Sequence, residues 1–382
     1  MSKIQDVFKR LILPGFAFKA VVIGGGYATG RELVQFFIPA GPRGGILGIL
    51  LTAAIWSGIC ALTFLFAFDV YSRDYRSFFR NLLGPFWILF EISYCLMVML
   101  TLSVFGAAAG AIGASLFGLP VLAGALILSA LIAGFTTFGN DAVEELFKYV
   151  SIGLYSVYAL LTLLVFMRFS GRISHALVMP QTINGWVWGA VIYSAYNLVG
   201  APAILPVTRH LKSRRDALIA GLLCGPLAAL PALLFFLGLI AFYPQIANAT
   251  LPSDYILTRL NVTAFRYIYQ AMIFAALLES GTGFVHAINE RVAAVFVRKQ
   301  DMPHIYRLSV TLAVLIFSIF IAAKIGLVQL IAKGYTASAY VFLVVFLIPL
   351  LVLGLPRVIR LWGKSARGQV SLAQTAAMSP PE

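Results

Sequence analysis

The chain has 382 residues, of which 61% are hydrophobic and 11% charged, and its mean hydropathy is +0.94. A soluble domain averages about 25% charged and about 45–50% apolar residues, so this composition excludes an ordinary soluble fold. The net charge of +14 does not mark a nucleic-acid binder, because Lys and Arg sit in short stretches between apolar runs near the ~20 residues that cross a bilayer.

Ten apolar segments read as membrane spans, at about 11–40, 44–69, 83–111, 118–138, 146–167, 185–207, 216–243, 265–289, 306–324 and 336–355. The basic start followed by an apolar run resembles a signal peptide. It has no small-residue exit and runs on into Arg31 and Glu32, so it reads as a retained span. With the amino terminus placed inside, inner segments hold 20 of the 28 Lys and Arg and outer segments seven, with Arg31 in the membrane. That asymmetry predicts a multi-pass protein of a bacterial-type inner (cytoplasmic) membrane with both termini cytoplasmic. The acidic stretch 140–145 fits least well. The loop 244–264 is the longest outward one and is expected to carry a helix over 253–259, capped by Ser253. A short interfacial helix is expected over 326–333. Residues 1–365 then form one transmembrane domain, and the small, polar 366–382 reads as a disordered tail.

Cys60, Cys95 and Cys224 lie inside apolar runs without metal-ligand spacing and read as core residues. Asn248 and Asn261 head glycosylation-type triplets on the outer side, a pattern too common to assign a role. Gly106 and Gly110 form a small-residue pair in span three that reads as helix packing.

Span one is the most unusual segment. At ~1.5 Å per residue its 29 residues from Leu11 to Pro39 exceed a ~30 Å hydrocarbon core, and Gly24-Gly25-Gly26 interrupts its middle. Each glycine costs roughly 1 kcal/mol relative to Ala in a helix. In lipid such an interruption is tolerable only inside protein or along a wet cavity. Freed carbonyls there bind a cation, and the next half-helix aims its positive end at an anion. A glycine-packed helix crossing is the plainer alternative. Span six carries Tyr193, Ser194, Asn197, Gly200 and Pro202 at mid-depth, so a proline break or kink is expected at Ala201. Two interruptions five spans apart predict a five-plus-five inverted repeat, over about 11–167 and 185–355.

Ionisable groups at membrane depth are few: Arg31, Glu32, Glu91, Glu279 and His286. Arg31 reads either as a carboxylate-binding group or as an ion-pair partner of Glu32, Glu91 or Glu279. Glu279 reads as a proton or cation carrier, with Glu32 a second ion-coupling candidate. Glu91 is placed near the inner interface, and His286 near the inner end of span eight. The hydroxyl of Ser280 or Thr282 is positioned to join the carbonyls of Val22 and Gly25 around sodium. The substrate-binding set is Gly24, Gly25, Gly26, Tyr27, Thr29, Gly30, Arg31, Tyr94, Tyr193, Asn197 and Gly200.

Residues 24–37, GGGYATGRELVQFF, resemble the signature G-A-G-F-A-S-G-Q-E-x-x-Q-F-F of the YkvI-type bacterial membrane proteins. That family is grouped with putative amino-acid permeases of the amino acid–polyamine–organocation superfamily. The resemblance implies a LeuT-like fold with discontinuous helices one and six, and sodium near Val22, Gly25, Ser280 and Thr282. Arg31 stands where the signature has Gln, and Gly25 where it has Ala. The expectation is a secondary transporter of a small amino acid or related organic solute, coupled to protons or sodium. The alternative is a non-transporting sensor that keeps the fold. No enzyme constellation, nucleic-acid partner or cofactor beyond the coupling ion is expected. Membrane lipid and the solute are the partners, and the oligomeric state is not legible.

Overall fold

The computed structural model describes residues 3–138, 141–180, 183–296 and 304–366, which are helical apart from their turns. Residues 367–382, most of the expected disordered tail, lie outside the described residues, as does Asn140. Seven segments are long and apolar enough to cross a membrane, with a shorter apolar helix at Val121–Thr137. Adding the pieces of two interrupted spans gives the order expected from sequence: a ten-span, all-α polytopic membrane protein.

Local signals set the boundaries. Asp74 accepts from the backbone N–H of Ser77 and starts the short helix Tyr75–Leu83, and Ser213 accepts from that of Asp216 to start span seven. Gly118, in the left-handed region at φ 64°, ends span three, which runs to Phe117 rather than 111. Span five is longer than expected, Asp141–Val178, and bends at Phe169 (φ −125°, ψ 17°).

Two local expectations are corrected. Ser253 does not cap the loop helix, which covers Pro252–Leu260 with Leu251 at its N-cap. Pro252 presets the first helical turn one residue earlier, and the Ser253 N–H donates to the Thr29 carbonyl at 3.0 Å. Residues 326–333 are not a separate interfacial helix. Gly326 (φ 78°) makes a corner, and the buried Leu327, Leu330 and Ile331 lead through a π-helical turn, Leu330–Tyr335, directly into span ten.

The polar contacts sort onto two faces. On the amino-terminal face Arg10 meets Asp216 at 3.0 Å, Lys212 meets Asp6 at 2.8 Å and Arg214 pairs with Asp69. Arg357, after span ten, donates to the Asn81 carbonyl on the same face. On the opposite face Arg43 donates to the Leu177 carbonyl, and Arg266 bridges to Asp254. An even number of crossings requires this arrangement. At the centre, spans two (Gly41–Asp69) and seven (Arg214–Ile240) pack backbone to backbone. A Cβ on Gly221 would stand 2.2 Å from Ala61 Cα, and one on Gly225 would stand 2.0 Å from the Ala53 carbonyl oxygen. Gly110 packs just as tightly against the Val121 carbonyl, so the glycine pair of span three serves contacts inside the bundle. Cys60 and Cys224 are buried free thiols in the core.

Candidate functional site

The helical ladder of span one closes with Ile23 N–H to Lys19 O at 2.8 Å and is next found at Ala28 N–H to Gly24 O at 3.2 Å. Between them Ile23 (ψ 68°) turns out of helix, so Leu13–Val22 ends just before the glycines. A four-residue turn, Gly25–Ala28, follows, and Gly30 (φ 79°) makes a second corner before Arg31–Phe37. Span one is thus interrupted twice. Span six is helical over Trp186–Asn197, slips to a three-residue bond from Ala201 N–H to Leu198 O, and resumes at Gly200–Ala203. The interruption falls at 198–199, before Ala201. The two breaks meet: a Cβ on Gly200 would stand 2.9 Å from Val21 Cγ1.

A cavity of about 330 Å³ lies where they meet. Span one contributes Val22, Gly24, Tyr27 and Glu32; span six contributes Tyr196, Asn197 and Gly200. Spans three and eight add Tyr94, Thr101, Phe105, Ser280 and Phe284, and Tyr335 comes from span ten. At one end Tyr27, Glu32, Tyr196 and Tyr335 are buried, while Ala20, Val21 and Ala203 toward the amino-terminal face are exposed. The cavity therefore opens toward that face and is closed from the other. Glu32 is 5% exposed, and its Oε2 accepts from the Tyr196 hydroxyl at 2.6 Å.

Several expected site residues lie elsewhere. Arg31 pairs with none of the three glutamates. The side chain of a residue beside Glu32 leaves the helix about 100° away. Its guanidinium donates to the Ala247 and Ala249 carbonyls, each at 2.9 Å, and to Gln35 Oε1 at 3.0 Å. Thr29 and Gly30 belong to the same closed end; a Cβ on Gly30 would press on Phe235 and Pro252. Tyr193 is buried behind the wall against Phe37 and Trp56. The Thr282 hydroxyl donates to the Leu278 carbonyl and does not line the cavity, whereas Ser280 and Val22 do. Glu279 is not in the lining. Gly25 and Gly26 are placed by their backbone alone, in the turn after the break.

Glu91 is an ion-pair partner rather than a solvated carboxylate. It meets Arg291 at 2.9 Å and accepts from the Tyr75 hydroxyl at 3.2 Å, and Arg291 also covers the Tyr94 ring at 4.2 Å. This cluster adjoins Tyr94 of the cavity wall from the amino-terminal side. His286 is exposed. Thr101, Phe105, Phe284 and Tyr335 were not singled out from sequence, nor was Lys19 as a group at depth; its ammonium lies 4.2 Å over the Tyr155 ring. Tyr335, one residue before span ten's expected start, carries no sequence mark. The apolar turns before it were the available sign that the span begins earlier.

The closed end has its own network. Asp254 accepts from Arg266 at 2.7 and 2.8 Å, from Gln270 at 3.0 Å and from Ser115 at 2.6 Å. Burial alone raises its carboxyl, but the bonds from Arg266, Ser115 and Gln270 hold it below the usual carboxylate range.

The helical order, paired interruptions and central cavity define a multi-pass membrane protein with a LeuT-like fold. A Na+-coupled sialic acid symporter in a substrate-bound outward-open state superposes with a TM-score of 0.56 at 15% identity, covering 86% of this chain and 78% of that one. The Eremococcus coleocola manganese transporter superposes at 0.55 with 14% identity, covering 88% and 77%. In sequence, the chain is 25% identical over 331 residues to the uncharacterized membrane protein YkvI of Bacillus subtilis (strain 168), spanning 86% of this chain and 92% of that protein. No family model matches the chain.

Proposed function

We propose that the protein is a secondary active transporter of a small amino acid or related organic solute, coupled to protons or sodium and working by alternating access. One observation carries the reading: the cavity sits where the two helix breaks touch, and it is open to one face and sealed from the other. Solute contacts are assigned to Gly24, Tyr27, Tyr94, Asn197 and Gly200. Glu32 supplies the acidic group for ion coupling, and Val22, Gly25 and Ser280 are the candidates for sodium. The cation asymmetry supports an inner-membrane location with the amino-terminal face cytoplasmic, so the cavity faces inward. Both structural neighbours are named as transporters, which supports the reading through fold.

The test is uptake into proteoliposomes under imposed sodium or proton gradients, across amino acids, amines, carboxylates and neutral solutes. Gradient-dependent accumulation of one class is expected. Absence of uptake for every class, together with no ligand-induced thermal stabilisation, overturns transport.

A further inference from the structure

We propose that a second cavity, on the sealed face, binds a phosphate group, carried by a phospholipid headgroup or free in solution. The cavity encloses about 520 Å³ between the ends of spans five and seven and the loop helix Pro252–Leu260. None of its lining residues lines the central cavity, so the inference is independent of the transport reading.

Charge sets the ligand class. Arg172 and His175 enter the lining from span five and Arg259 from the loop helix, and no Asp or Glu is among the lining residues. Both guanidinium groups stand against one ring: Arg172 lies 5.4 Å and Arg259 5.6 Å from the Phe242 centroid, and Arg259 also stacks on Tyr255 at 3.4 Å. Ring faces attract these cations and hold them in place without neutralising them. Among the described residues neither arginine makes an ion pair; Arg259 has one long bond, 3.4 Å, to the Tyr255 carbonyl. The carboxylate beside Tyr255 in sequence, Asp254, is already taken by Arg266, Gln270 and Ser115. Two like charges held against one ring repel each other, and an anion in the cavity offsets that repulsion.

Placement points to phosphate. Planar guanidinium groups match phosphate oxygens with paired N–H donors, and His175 adds a ring N–H. Span five faces away from the bundle here: Met167 and Val178, on either side of Arg172 in sequence, are both exposed. Apolar side chains exposed at the end of a span meet lipid, and a basic pocket at the same level meets the headgroups. Ile240 and Met179 add an apolar border to the cavity. A comparable cavity of about 460 Å³ on the amino-terminal face, lined by Arg73, Arg209 and Lys212, is partly neutralised, because Lys212 pairs with Asp6. The position also has a mechanical consequence. Arg259 belongs to the helix whose Ser253 is bonded to the Thr29 carbonyl in the seal, so a phosphate held by Arg259 and Arg172 ties the seal to span five.

The full chain is purified in a neutral detergent, and its thermal midpoint is followed against inorganic phosphate, with sodium chloride at matched ionic strength as the reference. Short-chain phosphatidylglycerol and phosphatidylcholine are titrated in the same way. A saturable rise beyond that with chloride is expected. Arg172→Ala and Arg259→Ala are each expected to raise the half-saturating concentration by about 10-fold, the loss of one charge-assisted contact. Arg209→Ala, in the amino-terminal cavity, is expected to leave it unchanged. Action of phosphatidylglycerol at lower concentration than phosphatidylcholine assigns a lipid headgroup; a phosphate response without that preference assigns the free ion. Absence of both overturns the inference. So does a response that neither Arg172→Ala nor Arg259→Ala moves, or one lost equally in Arg209→Ala. The wild-type comparisons, phosphate with chloride and one lipid with the other, stand even if a variant does not fold.

Discussion

Asp254 and Glu32 are both buried carboxylates, and they are treated in opposite ways. Asp254, in the seal, receives four hydrogen bonds from Arg266, Gln270 and Ser115, so both oxygens are satisfied. Glu32, in the cavity, receives one. Burying a charge is costly unless partners replace its water, and the cost grows with each empty position. A saturated carboxylate ties elements together: here the loop helix Pro252–Leu260 with the ends of spans three and eight. An unsaturated one is held ready for something that arrives. The boundary between the two regions runs between consecutive residues, since Arg31 serves the seal and Glu32 the cavity.

The contrast breaks most clearly at Glu32. Glu32→Gln should lower solute uptake by about 100-fold or more while leaving the thermal midpoint of the unliganded protein unchanged or slightly higher, because an under-paired buried charge is removed. A large fall in stability with normal uptake would make Glu32 a structural residue like Asp254. Arg31→Leu should do the reverse. It strips the Ala247 and Ala249 carbonyls and Gln35 of their donor, at a cost of about 2–3 kcal/mol, and should leave solute affinity as it was. A large fall in solute affinity at unchanged stability in that variant would return Arg31 to the site.

Asp254→Asn is expected to cost about 2 kcal/mol, since Arg266 is partly exposed and keeps some hydration. The pH dependence sharpens this. The Asp254 carboxyl lies below its ordinary value of 3.8 in the folded protein. The unfolded chain therefore takes up its proton first as pH falls. The contribution is complete above about pH 4–5 and is lost as pH drops through the lower folded value. Wild type should lose stability more steeply than Asp254→Asn below about pH 4, and be indifferent to pH between 5 and 8 on account of this group. Parallel acid-unfolding curves would show that Asp254 is not the group responsible.

Much of this was legible from sequence because membrane spans and their interruptions are written locally. The apolar runs fixed ten spans, and Gly24-Gly25-Gly26 with Asn197, Gly200 and Pro202 located two interruptions to within a few residues. The turning residue of span one is Ile23, a dihedral detail that adjacent glycines permit but do not dictate. Arg31 was misread because its partners are carbonyls of residues 247 and 249, and nothing in a linear chain places that loop over span one. Tyr335 and Thr101 escaped for the same reason: each is ordinary within its own helix, and only the bundle brings them to Glu32. The single-charge character of the cavity is a property of five spans together and has no signature in any one of them.

Gly200 offers the smallest and most local test, since it joins the two breaks. An added methyl would stand 2.9 Å from Val21 Cγ1, and Val21 is β-branched with restricted rotation. Gly200→Ala should therefore push the broken segments apart by a few tenths of an ångström, costing about 1 kcal/mol, and slow uptake by about 5-fold, since that cost is enough if it falls on the moving segments alone. Gly58 in span two is the matched control. It has no atom within 4 Å of the position a Cβ would take, so Gly58→Ala should gain helix propensity and leave uptake unchanged. If the two alanines behave alike in both uptake and stability, the contact between the breaks is packing without consequence. If only Gly200→Ala slows transport, and it does so at unchanged solute affinity, the contact limits the movement of span six past span one.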